Sequence, residues 1–269
     1  MSTTNTLTDY ETNAADFDKF RQPNSNIIQL LNNAFYHNAG AILSIGCGTG
    51  RYETELSKHR TVVGLDRSPG MLRHAKTRLK HLVLGDMSRL PFANKTFAGA
   101  YFMQSLHHFG ANLDISTEAR DAARQGVLQE AIRVVHEGAI IIVQRDPSQN
   151  QAVWFWKYSP QALEVKMVIQ PKVSILVEWF RQLGLTNVEA RPIYDPMARG
   201  FYNEHSPLDP AFRRSFSDFS YLSDEDVAKG VERLRAAIEN GTVVDDIEAC
   251  KQRFREIGGT VFIVSGEKR

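Results

Sequence analysis

Glycines at three alternate positions, Gly46, Gly48 and Gly50, close the apolar run Ile42-Leu43-Ser44-Ile45, and Asp66 follows twenty residues after the first of them. Such a run reads as a buried strand of a parallel sheet. Glycines directly after it let the backbone turn sharply with no β-carbon between the main chain and a ligand. Residues 52–59 can then open a helix whose first N–H groups face the same space. Asp66 ends a second β-rich run, residues 61–65, which sets its carboxylate beside the ribose hydroxyls of a nucleoside lying across the turn. The competing role for Asp66 is an exposed cap of the helix that Ser68-Pro69 begins. A G-x-G-x-x-G dinucleotide fingerprint would carry its third glycine at position 51, which is Arg51, so a nicotinamide dinucleotide fits this turn less well.

The elements that must position these residues alternate along the chain. Tyr10, Phe17 and Phe20, then Ile27, Ile28, Leu30, Leu31, Ala34 and Phe35, mark two helices before the first strand. Further strands are expected at residues 82–84, 97–103, 139–143, 188–193 and 260–264, with helices around Val127, Ala131 and Val134 and from Val173 to Leu183, the latter ended by Gly184. Before the last strand lies an insert of about sixty residues, longer than an ordinary connection, with its own helix at Val227, Val231, Leu234 and Ile238 capped by Ser223. The pattern implies an α/β fold: a seven-stranded, Rossmann-like doubly wound sheet with a helical insert before the last strand.

The 269 residues are 42% hydrophobic, enough for a substantial core in one elaborated domain. Lys and Arg number 32 against 31 Asp and Glu, a net charge of +1, so no general basic field gathers nucleic acid. Cys47 and Cys250 stand far apart with no Cys/His cluster, so neither a disulfide framework nor a structural metal is expected. Residues 1–8 are polar and nowhere do 18 apolar residues run together, so a cytoplasmic protein with no membrane partner is expected, as monomer or homodimer.

Three stretches taken together, Ile42 to Arg51, Val63-Gly64-Leu65-Asp66-Arg67-Ser68-Pro69-Gly70-Met71-Leu72 and Leu84-Gly85-Asp86-Met87-Ser88-Arg89-Leu90-Pro91-Phe92, closely resemble the class I S-adenosylmethionine-dependent methyltransferases. The branch they are most similar to is that of the ubiquinone and sterol methyltransferases. The resemblance implies that Gly46, Cys47 and Gly48 pass under the methionine part of S-adenosylmethionine, that Asp66 holds the ribose, and that Arg67 and Met71 flank the adenine. It implies further that Asp86 accepts from the adenine amino group while the Met87 amide donates to the ring, and that Gln104 belongs to the same site. Tyr10 and Arg21 look like the family's N-terminal lid, approaching the cofactor carboxylate. Residues 1–38 would then be lid helices, 39–195 the cofactor-binding core, 196–257 a cap over the substrate and 258–269 the last strand. Ser44 departs from the pattern, since the family usually has there an acid that contacts the methionine amino group. His136-Glu137-Gly138 likewise replaces the more usual Pro-Gly-Gly turn.

Methyl transfer from a sulfonium is an in-line displacement, which requires a positioned nucleophile, exclusion of water and, for a protonated nucleophile, a base; it requires no metal. His107 and His108 after the fourth strand are the candidate bases, with an acid limb expected near pH 6 to 7. Trp154, Phe201, Tyr202 and Tyr221 are candidates to line the acceptor site. A small-molecule acceptor, with S-adenosylhomocysteine as product, is the first expectation. A transfer-RNA wobble-uridine methyltransferase is the alternative, since Gly-Thr-Gly-Arg-Tyr, Asp-Arg-Ser and His-His-Phe also look like those enzymes, and a nicotinamide oxidoreductase or a non-catalytic cofactor-binding protein follows.

Overall fold

The computed structural model describes residues 10–37, 39–111, 113–195 and 198–269. Helices α1 (Tyr10–Phe20) and α2 (Ser25–Ala34) come first. Asn24 starts α2, its side chain accepting from the N–H groups of Asn26 and Ile27, and Ile27, Leu31 and Phe35 then share one buried face. Strand and helix alternate from there through β1 (Ile42–Ile45), α3 (Arg51–Leu56), β2 (Val62–Asp66), α4 (Pro69–Ala75), β3 (His81–Leu84), β4 (Gly99–Met103), α5 (Thr117–Val134) and β5 (Gly138–Gln144). All pairings among these five strands are parallel. Then follow α6 (Pro147–Gln151), α7 (Pro160–Ile169), α8 (Val173–Gln182), β6 (Thr186–Ile193), α9 (Pro210–Arg214), α10 (Asp224–Glu239), α11 (Val243–Ile257) and β7 (Val261–Lys268). The last strand enters between β5 and β6, antiparallel to both, giving the expected seven strands in the order β3-β2-β1-β4-β5-β7-β6.

Successive residues of β1 point to opposite faces, and the two faces are covered by different helices. Leu43 and Ile45 pack with Val127, Leu128 and Ala131 of α5 and with Leu176 and Phe180 of α8. Ile42 packs with Ile27 and Leu31 of α2 and Leu56 of α3. Strand order reverses between β1 and β4, so a crevice opens at their C-terminal ends, where open α/β sheets bind ligands.

A separate core holds the cap together. Trp154, Phe155 and Trp156, from the chain between α6 and α7, are buried with Phe201, Phe212, Phe216, Leu234 and Phe254 of the insert. The expected boundary at residue 196 leaves residues 152–163 with the cofactor-binding core; in the structure they pack with the insert. The reason is the Phe155 ring, whose centroid lies 5.4, 5.9 and 5.2 Å from those of Phe201, Phe212 and Phe216.

Candidate active site

The glycine turn continues β1 directly. Gly46 and Cys47 both donate their N–H to the Leu65 carbonyl at the end of β2, and Gly46, Gly48 and Gly50 all take positive φ, at 76°, 56° and 76°. A β-carbon on Gly46 would lie 2.5 Å from Cβ of Ser105, whose hydroxyl donates to the Ile45 carbonyl and ties β4 to β1. One on Gly48, which lines the crevice, would meet nothing within 4 Å. Asp66 holds this turn in place: its Oδ2 accepts from the Gly48 N–H at 2.8 Å and its Oδ1 from the Ser68 N–H at 2.9 Å. The carboxylate still lines the crevice, and burial raises its pKa. The helix cap itself is Ser68, whose hydroxyl accepts from the Met71 N–H, so the competing role for Asp66 falls to its neighbour.

The crevice is lined continuously from Arg67, buried Met71, Asp86 and Met87 across Gly46, Cys47 and Gly48 to Gln104, Ser105, His107 and His108. The structure thus brings together most of the residues expected to hold a cofactor. Asp86 sits at the exposed end, where its Oδ1 accepts from the N–H and hydroxyl of Ser88. Gln104 has φ of 54° as β4 ends, a conformation that costs a non-glycine residue about 1–3 kcal/mol and here turns the chain into the crevice. Burial raises the Cys47 thiol well above its usual pKa, which leaves it protonated and unreactive.

Helix α1 closes over one side. Asp18 accepts a hydrogen bond from the Thr49 hydroxyl and pairs with Arg78 at 2.8 Å and Arg51 at 3.6 Å, fastening the helix to the glycine turn. Phe17 and Arg21 face the crevice. Arg21 donates through Nε and Nη2 to the Ser215 carbonyl and stacks 4.2 Å from the Phe216 ring, so it joins α1 to the cap. Tyr10 opens α1, and its side chain lies outside the described residues.

Glu53 is a residue the sequence reasoning missed. Ser44 is fully buried and does not line the crevice; its hydroxyl donates to Glu53 Oε1 at 2.6 Å, and the Tyr101 hydroxyl donates to the same oxygen at 2.7 Å. A carboxylate therefore reaches Ser44 from the first turn of α3. It lines the crevice, and burial raises its pKa against the lowering effect of these two hydroxyls. The available signal was a serine at the acidic position together with a glutamate on the buried side of the following helix.

Beyond Gln104 the wall changes character. His107 is buried, with Nδ1 making no hydrogen bond, and burial holds its pKa well below the usual value. Burial, with Lys166, Arg67 and Arg124, takes His108 down to about 3. Both shifts run against an acid limb at pH 6 to 7 from either imidazole. Opposite them stand Lys166 and Asp218, paired at 3.1 Å with side chains only 7% and 3% exposed, and Arg145, Phe216 and Tyr221. Of the four aromatic residues expected to line the acceptor site, Tyr221 lines the crevice. Trp154 and Phe201 do not: they fill the cap core, where the Trp154 indole N–H donates to the Phe201 carbonyl. Tyr202 does not either, since it lies on the outer surface against Phe201 and Lys251.

Among the described residues no group of three or more His, Cys, Asp or Glu side chains is placed to hold a metal ion, and no helix is long and apolar enough to cross a membrane.

Residues 43–143, from β1 through β5, match the methyltransferase domain family. A demethylmenaquinone methyltransferase from Corynebacterium kroppenstedtii is 40% identical over 84 residues, 31% of this chain, and the matched stretch spans only 35% of that relative. A protein described as a methyltransferase from an antibiotic biosynthesis pathway in Anabaena variabilis superimposes with a TM-score of 0.71 at 20% identity, covering 91% of this chain and 98% of that one. A plantazolicin methyltransferase in complex with S-adenosylhomocysteine superimposes at 0.52 with 14% identity, over 96% and 84% of the two chains. At such identities the structures speak for the fold, and the sequence match speaks for the segment that builds the glycine turn, Asp66, Asp86 and the loop after β4. Residues 43–143 are thus similar to a methyltransferase domain, and the chain as a whole shares the fold of the methyltransferases it superimposes on.

Proposed function

We propose that this protein transfers the methyl group of S-adenosylmethionine to a small-molecule acceptor bound under the cap. The observation that carries the reading is a crevice lined by Gly48, where a β-carbon would meet nothing within 4 Å, together with the carboxylates of Asp66 and Glu53. A nucleoside with an amino-acid tail suits that donor set. Asp66 retains lone pairs for two ribose hydroxyls, Met71 and Arg67 offer an apolar and a cationic face to a purine, and Asp86 with the Met87 amide meets its edge. Glu53 offers an anion to an ammonium group in the position that Ser44 leaves neutral. When bound, S-adenosylmethionine supplies an electrophilic methyl group on a sulfonium centre.

The chain's own residues contribute position and dryness. Phe17, Phe216 and Tyr221 line the crevice from the lid and the cap, excluding water from the loop after β4. Arg124 fixes that loop by donating to the carbonyls of His107 and Phe109, both at 3.0 Å. His108 lines the crevice and is our candidate to take a proton from a hydroxyl or amine acceptor, as a base that burial weakens. Its depressed pKa keeps it unprotonated throughout the physiological range, so the rate should hold constant from pH 8 down to pH 6.

Calorimetry with S-adenosylhomocysteine and NAD tests the cofactor reading. Binding of the former and not the latter is expected, and Asp66→Ala should weaken it by on the order of 1–3 kcal/mol. Tight NAD binding with none of the sulfonium product would sink the reading. Methyl-labelled S-adenosylmethionine incubated with a metabolite extract, with mass detection of the shifted product, then identifies the acceptor.

A further inference from the structure

Arg145 follows the end of β5 and lies 5% exposed on the wall of the crevice. Its Nε is buried and makes no hydrogen bond. Two carboxylates, Asp195 and Asp218, influence it through space, but Asp218 is committed to Lys166 at 3.1 Å. Arg21 and Lys166 both sense the Arg145 charge as a repulsion. Three cations, Arg21, Arg145 and Lys166, thus face two anions, Asp195 and Asp218, on a wall whose histidines are neutral.

A buried guanidinium carries a desolvation penalty unless an anion and hydrogen bonds offset it. Arg21 has the Ser215 carbonyl and the Phe216 ring, and Lys166 has Asp218. Arg145 has no such contact, and its planar fork matches a two-oxygen anion. We infer that the methyl acceptor carries a carboxylate, and that Arg145 receives it. The inference rests on the methyl-transfer reading only for what the acceptor is; the anion subsite stands on the wall itself.

The test uses benzoate and its neutral isostere benzamide, titrated calorimetrically into the full chain saturated with S-adenosylhomocysteine. Benzoate should bind at least tenfold more tightly than benzamide, and Arg145→Gln should remove that preference while leaving the affinity for S-adenosylhomocysteine within about twofold. Equal binding of benzoate and benzamide by the wild type overturns the inference, and this comparison needs no variant to fold. An Arg145→Gln protein that melts normally but has lost S-adenosylhomocysteine affinity tenfold also overturns it, because the guanidinium would then serve the cofactor's own carboxylate. Failure of the wild type to bind S-adenosylhomocysteine at all sinks the methyl-transfer reading instead, and the benzoate preference is then measured on the protein alone.

Discussion

Gly46 and Gly48 both have left-handed backbone and stand two residues apart, yet alanine should fail at them for opposite reasons. Either substitution pays the left-handed penalty, about 1–2 kcal/mol for a residue with a β-carbon. At Gly46 the new carbon falls 2.5 Å from Ser105 Cβ and 2.9 Å from its hydroxyl oxygen, and Ser105 is held by its bond to the Ile45 carbonyl. The β1 and β4 ends must part, adding about 1–3 kcal/mol of overpacking strain. Gly46→Ala should therefore lose about 2–5 kcal/mol of folding stability. At Gly48 the carbon meets nothing within 4 Å, so only the backbone term applies, and the loss should stay at about 1–2 kcal/mol. The same carbon enters the space assigned to the cofactor, and S-adenosylhomocysteine affinity should fall at least tenfold. Urea unfolding of the unliganded variants gives the first comparison and calorimetry the second. Gly48→Ala binding within twofold of wild type would falsify the placement of the cofactor. A stability loss equal to that of Gly46→Ala would show that the space is not open.

Glu53→Gln removes a buried charge and keeps an oxygen to accept from Ser44 and Tyr101, so thermal stability should hold or rise; cofactor affinity should fall by about 1.5–3 kcal/mol, and calorimetry showing no loss would remove Glu53 from the site. His107 and His108 titrate lower in the folded chain than in the unfolded one, so the unfolded chain binds more protons below pH 6.5. Stability should be full above that value and fall by about 1.4 kcal/mol per pH unit for each imidazole as the pH drops from 6.5 toward 5, a slope that His107→Asn with His108→Asn should flatten in urea titrations. Phe201→Ala should lose about 3–5 kcal/mol through the cap core, whereas Tyr221→Ala should leave the melting temperature nearly unchanged and raise the acceptor KM; the reverse pattern would put Phe201 in the acceptor site.

The parts of this molecule that were readable from its sequence are those whose conformation is decided locally. An apolar run followed by alternating glycines can turn in few ways, and Ser68-Pro69 caps a helix whatever lies around it, so the crevice and its Asp66 followed from spacing. The cap aromatics had no such local rule. Trp154, Phe201 and Tyr202 sit on short 3-10 helices and turns without apolar periodicity, and which ring faces the crevice is decided when a segment after β5 meets another after β6. Phe155, which no sequence pattern singled out from its neighbours, is the centre of that contact.

Ser44 and Glu53 show a third case, in which a position is readable but its occupant is not. Strand β1 delivers residue 44 to the sheet interior, and helix α3, entered from Gly50, delivers residue 53 to the same point, so a carboxylate can be carried by either element. A carboxylate on both would place like charges together in a buried site, which is unfavourable, whereas one acid accepts from both the Ser44 and Tyr101 hydroxyls. One acid and one hydroxyl satisfy the site in either order. The charge at this end of the crevice is therefore set by the pair, and Ser44 alone does not make it neutral. The same accounting at the other end leaves Arg145 with no protein partner, which is why the anion there is assigned to the acceptor.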